Sequence, residues 1–235
     1  MGIDPGKLVA AAKFLELYQP IADHVTRRTT VVQSARRENK GATLEELQAE
    51  SDAYRRVLGL HRAQAMTAWL GSIGYSLDEF EEEMEYRVLR RKKRAGFSRR
   101  EIEASFKEQR LDLDKARISQ IVVATDSLAR ELVEQVNTEK KDFSKLAHEH
   151  TLDDATREAG GHVGWVKRRD LAQELAARVF AAAPGKCVPP VKLADGGFQV
   201  VLLHETRTAT LDAATEEELR DHLLARWLSE LSARP

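Results

Sequence analysis

The chain has 235 residues, enough to bury a sizeable core as one domain or as two small ones. Charged residues make up 32% of it but nearly cancel, to a net charge of −1, so no strong field points to nucleic acid or to an anionic membrane as partner. No apolar run approaches the roughly 20 residues that span a bilayer, and the single cysteine, Cys187, excludes an internal disulfide.

From Lys7 to Leu113 the periodicity is helical. Thr43-Leu44-Glu45-Glu46, Ser76-Leu77-Asp78-Glu79 and Ser98-Arg99-Arg100-Glu101 each set a hydroxyl three residues ahead of a carboxylate. That is the capping box, in which the two side chains satisfy free N–H groups at a helix start. Leu44, Leu47, Tyr54, Leu58, His61, Ala65 and Trp69 recur at helical spacing, as do Leu77, Phe80, Met84 and Val88. Gly71 to Gly74 and Ala95-Gly96 predict breaks between helices. Arg87, Arg90, Arg91, Lys92, Lys93 and Arg94 form the sharpest charge run, behind the acids Asp78, Glu79 and Glu81 to Glu83. Acid first and base last complements a helix dipole, so the run predicts a solvated helix and no nucleic-acid partner.

The pattern changes at Ile118-Ser119-Gln120-Ile121-Val122-Val123, a β-branched run that predicts a buried strand. Helices are expected near Ser127–Thr138 and Phe143–His150, a short strand near Val163–Val166 and a helix near Asp170–Ala181. Strands near Val188–Leu193 and Phe198–His204 follow, the second after an Asp195-Gly196-Gly197 turn. The tail returns to helix at Thr215-Glu216-Glu217-Glu218, with Leu219, Leu223, Trp227 and Leu231 as a stripe that needs a partner elsewhere. The expected organisation is a helical module at 7–114, an α+β domain at 115–207 and a C-terminal helix at 210–234 packing back on the first module. His148, His150 and His162 fit no compact zinc spacing; no metal and no cofactor is expected. Met1-Gly2-Ile3-Asp4-Pro5 has the look of a cloning remnant, and no leader pattern is legible. The expected compartment is therefore the cytoplasm, or outside it if a leader has been removed.

One ordered series stands out: Gly160-Gly161-His162-Val163-Gly164-Trp165, then Phe180, Pro184-Gly185, Pro189-Pro190-Val191 and Gly197-Phe198-Gln199-Val200-Val201. Together with Asp142-Phe143-Ser144-Lys145-Leu146-Ala147 it resembles the rotamase signature of the parvulin-type (PpiC) peptidyl-prolyl isomerases, over about Ala116 to Thr206. The flanking helices resemble the SurA-like chaperone module of bacterial foldases. The resemblance implies an α+β fold: a parvulin-like four-stranded sheet domain with helices, inserted in an all-α module built from both chain ends.

The resemblance also implies a site. Asp153 falls at the family's acidic position, while Gln120 and Gln199 stand where the family carries histidines on its first and last strands. Val163, Leu171 and Leu175 fall at the apolar positions that hold the proline ring, with Phe198 as a closing wall or as ordinary core. The implied activity is prolyl isomerisation of unfolded or extended proline-containing polypeptides, with a catalytically silent chaperone as the alternative. A homodimer through unpaired helix faces is a further expectation. The loop Ala124-Thr125-Asp126-Ser127 has no basic residue, so no phosphoserine-proline selectivity is expected.

Overall fold

A computed structural model describes residues 4–232. Met1 to Ile3 of the suspected remnant, and residues 233–234 of the expected tail helix, lie outside the described residues. Two compact units form. One runs to Ser105 and resumes at Ala213; the other is Phe106–Asp212.

The helical unit holds α1 (Pro5–Phe14), α2 (Tyr18–Arg37), α3 (Leu44–Val57), α4 (Ala63–Ile73), α5 (Leu77–Ala95) and the start of α6 (Arg99–Leu113). Its last element is the final helix of the chain, Ala213–Ser232, numbered α11 below. The three N-terminal capping boxes all form: Thr43 with Glu46, Ser76 with Glu79, and Ser98 with Glu101. Thr215 does not cap the last helix, which starts two residues earlier at Ala213. The stripe read from Leu44 to Trp69 is not one face either. α3 ends at Val57, two residues before Gly59 at φ 69°, and Leu44 and Leu58 are exposed. The remaining apolar side chains close a small core of Met66, Leu70, Phe80 and Met84, roofed by Tyr54 and Trp69.

The α5 charge run is consumed inside this unit. Arg91 pairs with Glu50 at 2.6 Å, Lys92 with Glu46 at 3.0 Å and Arg94 with Asp221 at 2.6 Å. Arg220 of α11 donates to the carbonyls of Arg94, Ala95 and Phe97, where α5 runs out of its own donors. Leu219, Leu223 and Leu231 of α11 are buried, and the helix lies against α2 and α5.

The second unit is an antiparallel sheet with helices on both faces. Its elements are β1 (Lys115–Val123), α7 (Asp126–Asn137), α8 (Phe143–His150), α9 (Asp154–Arg157), β2 (His162–Lys167), a 3-10 turn at Arg168–Asp170, α10 (Gln173–Ala181), β3 (Lys186–Cys187), β4 (Val191–Lys192) and β5 (Phe198–Arg207). Strand order is β2-β1-β5-β3, with β4 also paired to β5. The edge strand expected at Val188–Leu193 is thus interrupted, because Pro189 and Pro190 have no N–H to give to the ladder.

Alternation sorts the side chains. Ile121, Val123 and Val200 go to one face, under Ala129 and Leu132 of α7 and Phe143 and Leu146 of α8. Ile118, Val201 and Leu203 go to the other, with Leu175 and Val179 of α10. Cys187 is buried on the first face, its thiol pushed up to about 12 by burial, and the Asn137 amide bonds both its N–H and its carbonyl at 2.9 Å.

Two irregularities in β1 pairing shape the site. Between β1 and β2 the register steps from Ile118↔Gly164 to Ser119↔His162, so Val163 is an extra, bulged residue. Between β1 and β5 it steps from Arg117↔Glu205 to Ile118↔Leu203, making His204 the extra residue there. Gly161, at φ 78°, lets the chain turn into β2 while its carbonyl accepts from Gln120 N–H at 2.7 Å. A Cβ there would sit 2.4 Å from the Gln120 carbonyl oxygen, which is backbone and cannot swing away. Gly161→Ala should therefore destabilise the sheet unit by at least about 2 kcal/mol, read as a lower urea midpoint with unchanged slope.

Candidate functional site

Gln120 lies in mid-β1 and Gln199 on β5, where Gln120 faces Val201 and Gln199 faces Val122. They are diagonal neighbours on one face of the sheet, close enough for long side chains to meet. The Gln199 amide Nε2 donates to Gln120 Oε1 at 2.6 Å, and Gln120 Nε2 donates to Asp153 Oδ2 at 2.7 Å. A relay of amide dipoles runs from the last strand through the first to a carboxylate.

Asp153 is fixed by local geometry. It caps α9, with Oδ1 accepting from Ala155 N–H at 3.1 Å, and Oδ2 takes a second bond from the Thr156 hydroxyl at 2.7 Å. The loop before it is pinned to β1. Thr151 Oγ1 accepts from the N–H groups of Val122 and Asp153, and Leu152 N–H donates to the Val122 carbonyl. Arg157 holds the Thr151 carbonyl with two nitrogens, at 3.1 and 2.8 Å. The hydrogen bonds from Thr156 and then Gln120 hold the Asp153 carboxyl below its usual range, so it is a carboxylate at neutral pH.

Beside this relay opens a cavity of about 770 Å³. Gln120, Gln199 and Asp153 form its polar wall, Val122, Leu152 and Leu193 its apolar one, and Asp195-Gly196-Gly197 its rim. The structure thus brings three of the residues named from sequence together at the cavity, and none of the other four lines it. Leu171 and Leu175 belong to the apolar cluster on the glutamine face of the sheet, but Leu175 is only 3% exposed and serves as core. Leu171 is half-buried at the edge of that cluster, and Val163 is exposed on its bulge. Phe198 needs correction as a wall of the site. It packs with the α7 and α8 cluster on the opposite face, as alternation from Gln199 requires. Sequence reasoning missed Val122, Leu152, Leu193, Asp195 and Thr156. Period two from Gln120 would have found Val122, and the turn beside Gln199 would have found Asp195.

The antiparallel β2-β1-β5 sheet with helices after its first strand is the α+β arrangement expected from the sequence. Residues 119–205 match the rotamase family model, described as the PPIC-type PPIASE domain. Among curated proteins the chain is 27% identical over 121 residues to a "Probable parvulin-type peptidyl-prolyl cis-trans isomerase" of Bordetella pertussis, covering 49% of this chain and 47% of that one. It is 30% identical over 114 residues to "Chaperone SurA" of Pseudomonas aeruginosa, covering 48% and 27%. The chain spans about half the length of the first curated relatives it matches. Among solved structures, the foldase PrsA of Bacillus cereus matches with a TM-score of 0.57 at 16% identity, covering 98% of this chain and 85% of that one, and so shares the fold.

The Thr156 hydroxyl supplies the first of the bonds that keep Asp153 ionised. Thr156→Val should raise the Asp153 pKa, seen as an upward move of the side-chain carboxyl midpoint in a ¹³C NMR titration.

Proposed function

We propose that the chain is a parvulin-type peptidyl-prolyl cis-trans isomerase that binds extended proline-containing polypeptide and assists its folding. The observation that carries this is the Gln199–Gln120–Asp153 relay beside an open cavity, inside a segment that matches the rotamase family model. The reaction breaks no bond. It twists an amide whose barrier is about 18–20 kcal/mol, so a site that excludes water and favours the twisted geometry suffices. With Asp153 saturated by neighbours, each glutamine amide keeps one further N–H for a substrate carbonyl. Leu171, half-buried at the edge of the apolar cluster that contains Leu175, and Val163, exposed on its bulge, supply surface for the pyrrolidine ring.

Histidine at both strand positions would titrate near neutrality; glutamine does not. Since Asp153 is also held below its usual range, nothing in the relay changes charge between about pH 5 and 9. The expected profile of kcat/KM for a generic Ala-Pro peptide is flat over that window, measured by exchange NMR. A limb in the acid half would put a titrating group in the site.

The second reading is a chaperone without turnover, and the two glutamines favour it. Gln120→His with Gln199→His separates the two: a rise of tenfold or more from a baseline indistinguishable from the uncatalysed rate supports the chaperone, and a measurable parent rate supports the enzyme. In the parent, Asp153→Ala and Leu171→Ala should each lower kcat/KM several-fold; unchanged rates in both would overturn the site.

The helical unit leaves Leu8, Phe14, Leu17 and Ile21 exposed, apolar surface suited to unfolded client or to a second copy of the chain. No helix among the described residues is long and apolar enough to cross a membrane. The cytoplasmic placement expected from sequence gains no support from the relatives.

A further inference from the structure

The cavity beside the relay carries two carboxylates and no cation to balance them. Asp153 is met by neutral donors: the Thr156 hydroxyl and N–H, the Gln120 amide and the Ala155 N–H. Asp195, exposed on the β4–β5 turn, uses one oxygen to accept from Gly197 N–H at 3.0 Å and has no cationic partner among the described residues. Lys192 and Arg157, the cations nearest in the chain, do not face the cavity unpaired. Lys192 is in register with Phe198, so its side chain leaves the sheet on the face away from Gln199. Arg157 is held by the Thr151 carbonyl and by Asp154. Asp126, the first residue of α7, is already paired with Arg130.

We propose that this cavity selects polypeptide segments in which lysine or arginine lies next to the proline, and rejects segments with an acidic or phosphorylated residue there. The proposal rests on the isomerase reading above and names its substrate class. A bound ammonium or guanidinium supplies the charge that the cavity lacks, while Leu152 and Leu193 offer apolar surface to the methylene stem. An acidic neighbour of the proline meets like charge at Asp153 and Asp195, which costs specificity without any steric clash.

The test uses short peptides of one sequence with Lys, Ala or Glu immediately before or after proline. Isomerisation is followed by exchange NMR and affinity by anisotropy of labelled copies. The expected order in both readouts is Lys, Ala, Glu at one flanking position at least, with about a tenfold span at low salt. The span should shrink towards unity in 1 M NaCl, where the screening length is about 3 Å. Asp195→Asn keeps an oxygen for Gly197 N–H and should narrow the Lys-to-Glu ratio several-fold. Equal handling of the Lys and Glu peptides, or an unchanged ratio in Asp195→Asn, overturns the proposal. If no peptide is isomerised the enzyme reading fails by itself, and the affinity order alone then decides this one.

Discussion

The pairing of β1 with β5 is the constraint on which the rest depends. Because successive side chains alternate, the register that puts Gln120 and Gln199 on one face also puts Ile121, Val123 and Val200 on the other. A slip of β1 by one residue against β5 would drive Gln120 under α7 and α8, away from Gln199, and turn Ile121 and Val123 towards the cavity. The core around Leu132 and Phe143 therefore enforces the polar relay, although none of its members touches it. Packing on one side of the sheet fixes chemistry on the other.

The relay in turn settles the electrostatics of the site. Asp153 gains its low pKa from hydrogen bonds to the ionised form, not from a neighbouring cation. The carboxylate is thus stabilised without being neutralised, and its field remains available to whatever enters the cavity. The helical unit shows the opposite arrangement. There Glu46, Glu50 and Asp221 meet Lys92, Arg91 and Arg94 directly, and a run that looks strongly basic in the sequence is spent on partners within the unit.

Much of this was legible in the residues, because local chemistry decided it. The capping boxes at Thr43, Ser76 and Ser98 and the strand at Gln120 follow from spacing and side-chain type, and the acid at Asp153 from the family resemblance. What escaped was decided by depth, register or the point where a helix ends. Leu171 and Leu175 read alike, yet Leu175 lies in the core while Leu171 stays at its edge. Phe198 sits next to Gln199 in sequence and on the far side of the sheet in space. Val163 is turned outward by a bulge that no residue type announces, and α3 ends two residues before Gly59 although the spacing of the stripe continues across it.

The helical unit is discontinuous: α11 completes a surface begun by α2 and α5, with the whole sheet unit between them in the chain. During synthesis the sheet unit, contiguous in sequence, can fold as soon as it emerges. The faces of α2 and α5 that α11 covers, and the open carbonyls at the end of α5, must wait for Arg220 and the rest of α11, which follow the sheet unit in the chain. One half of the chain is thereby a late folder, and the sheet unit can be assembled first.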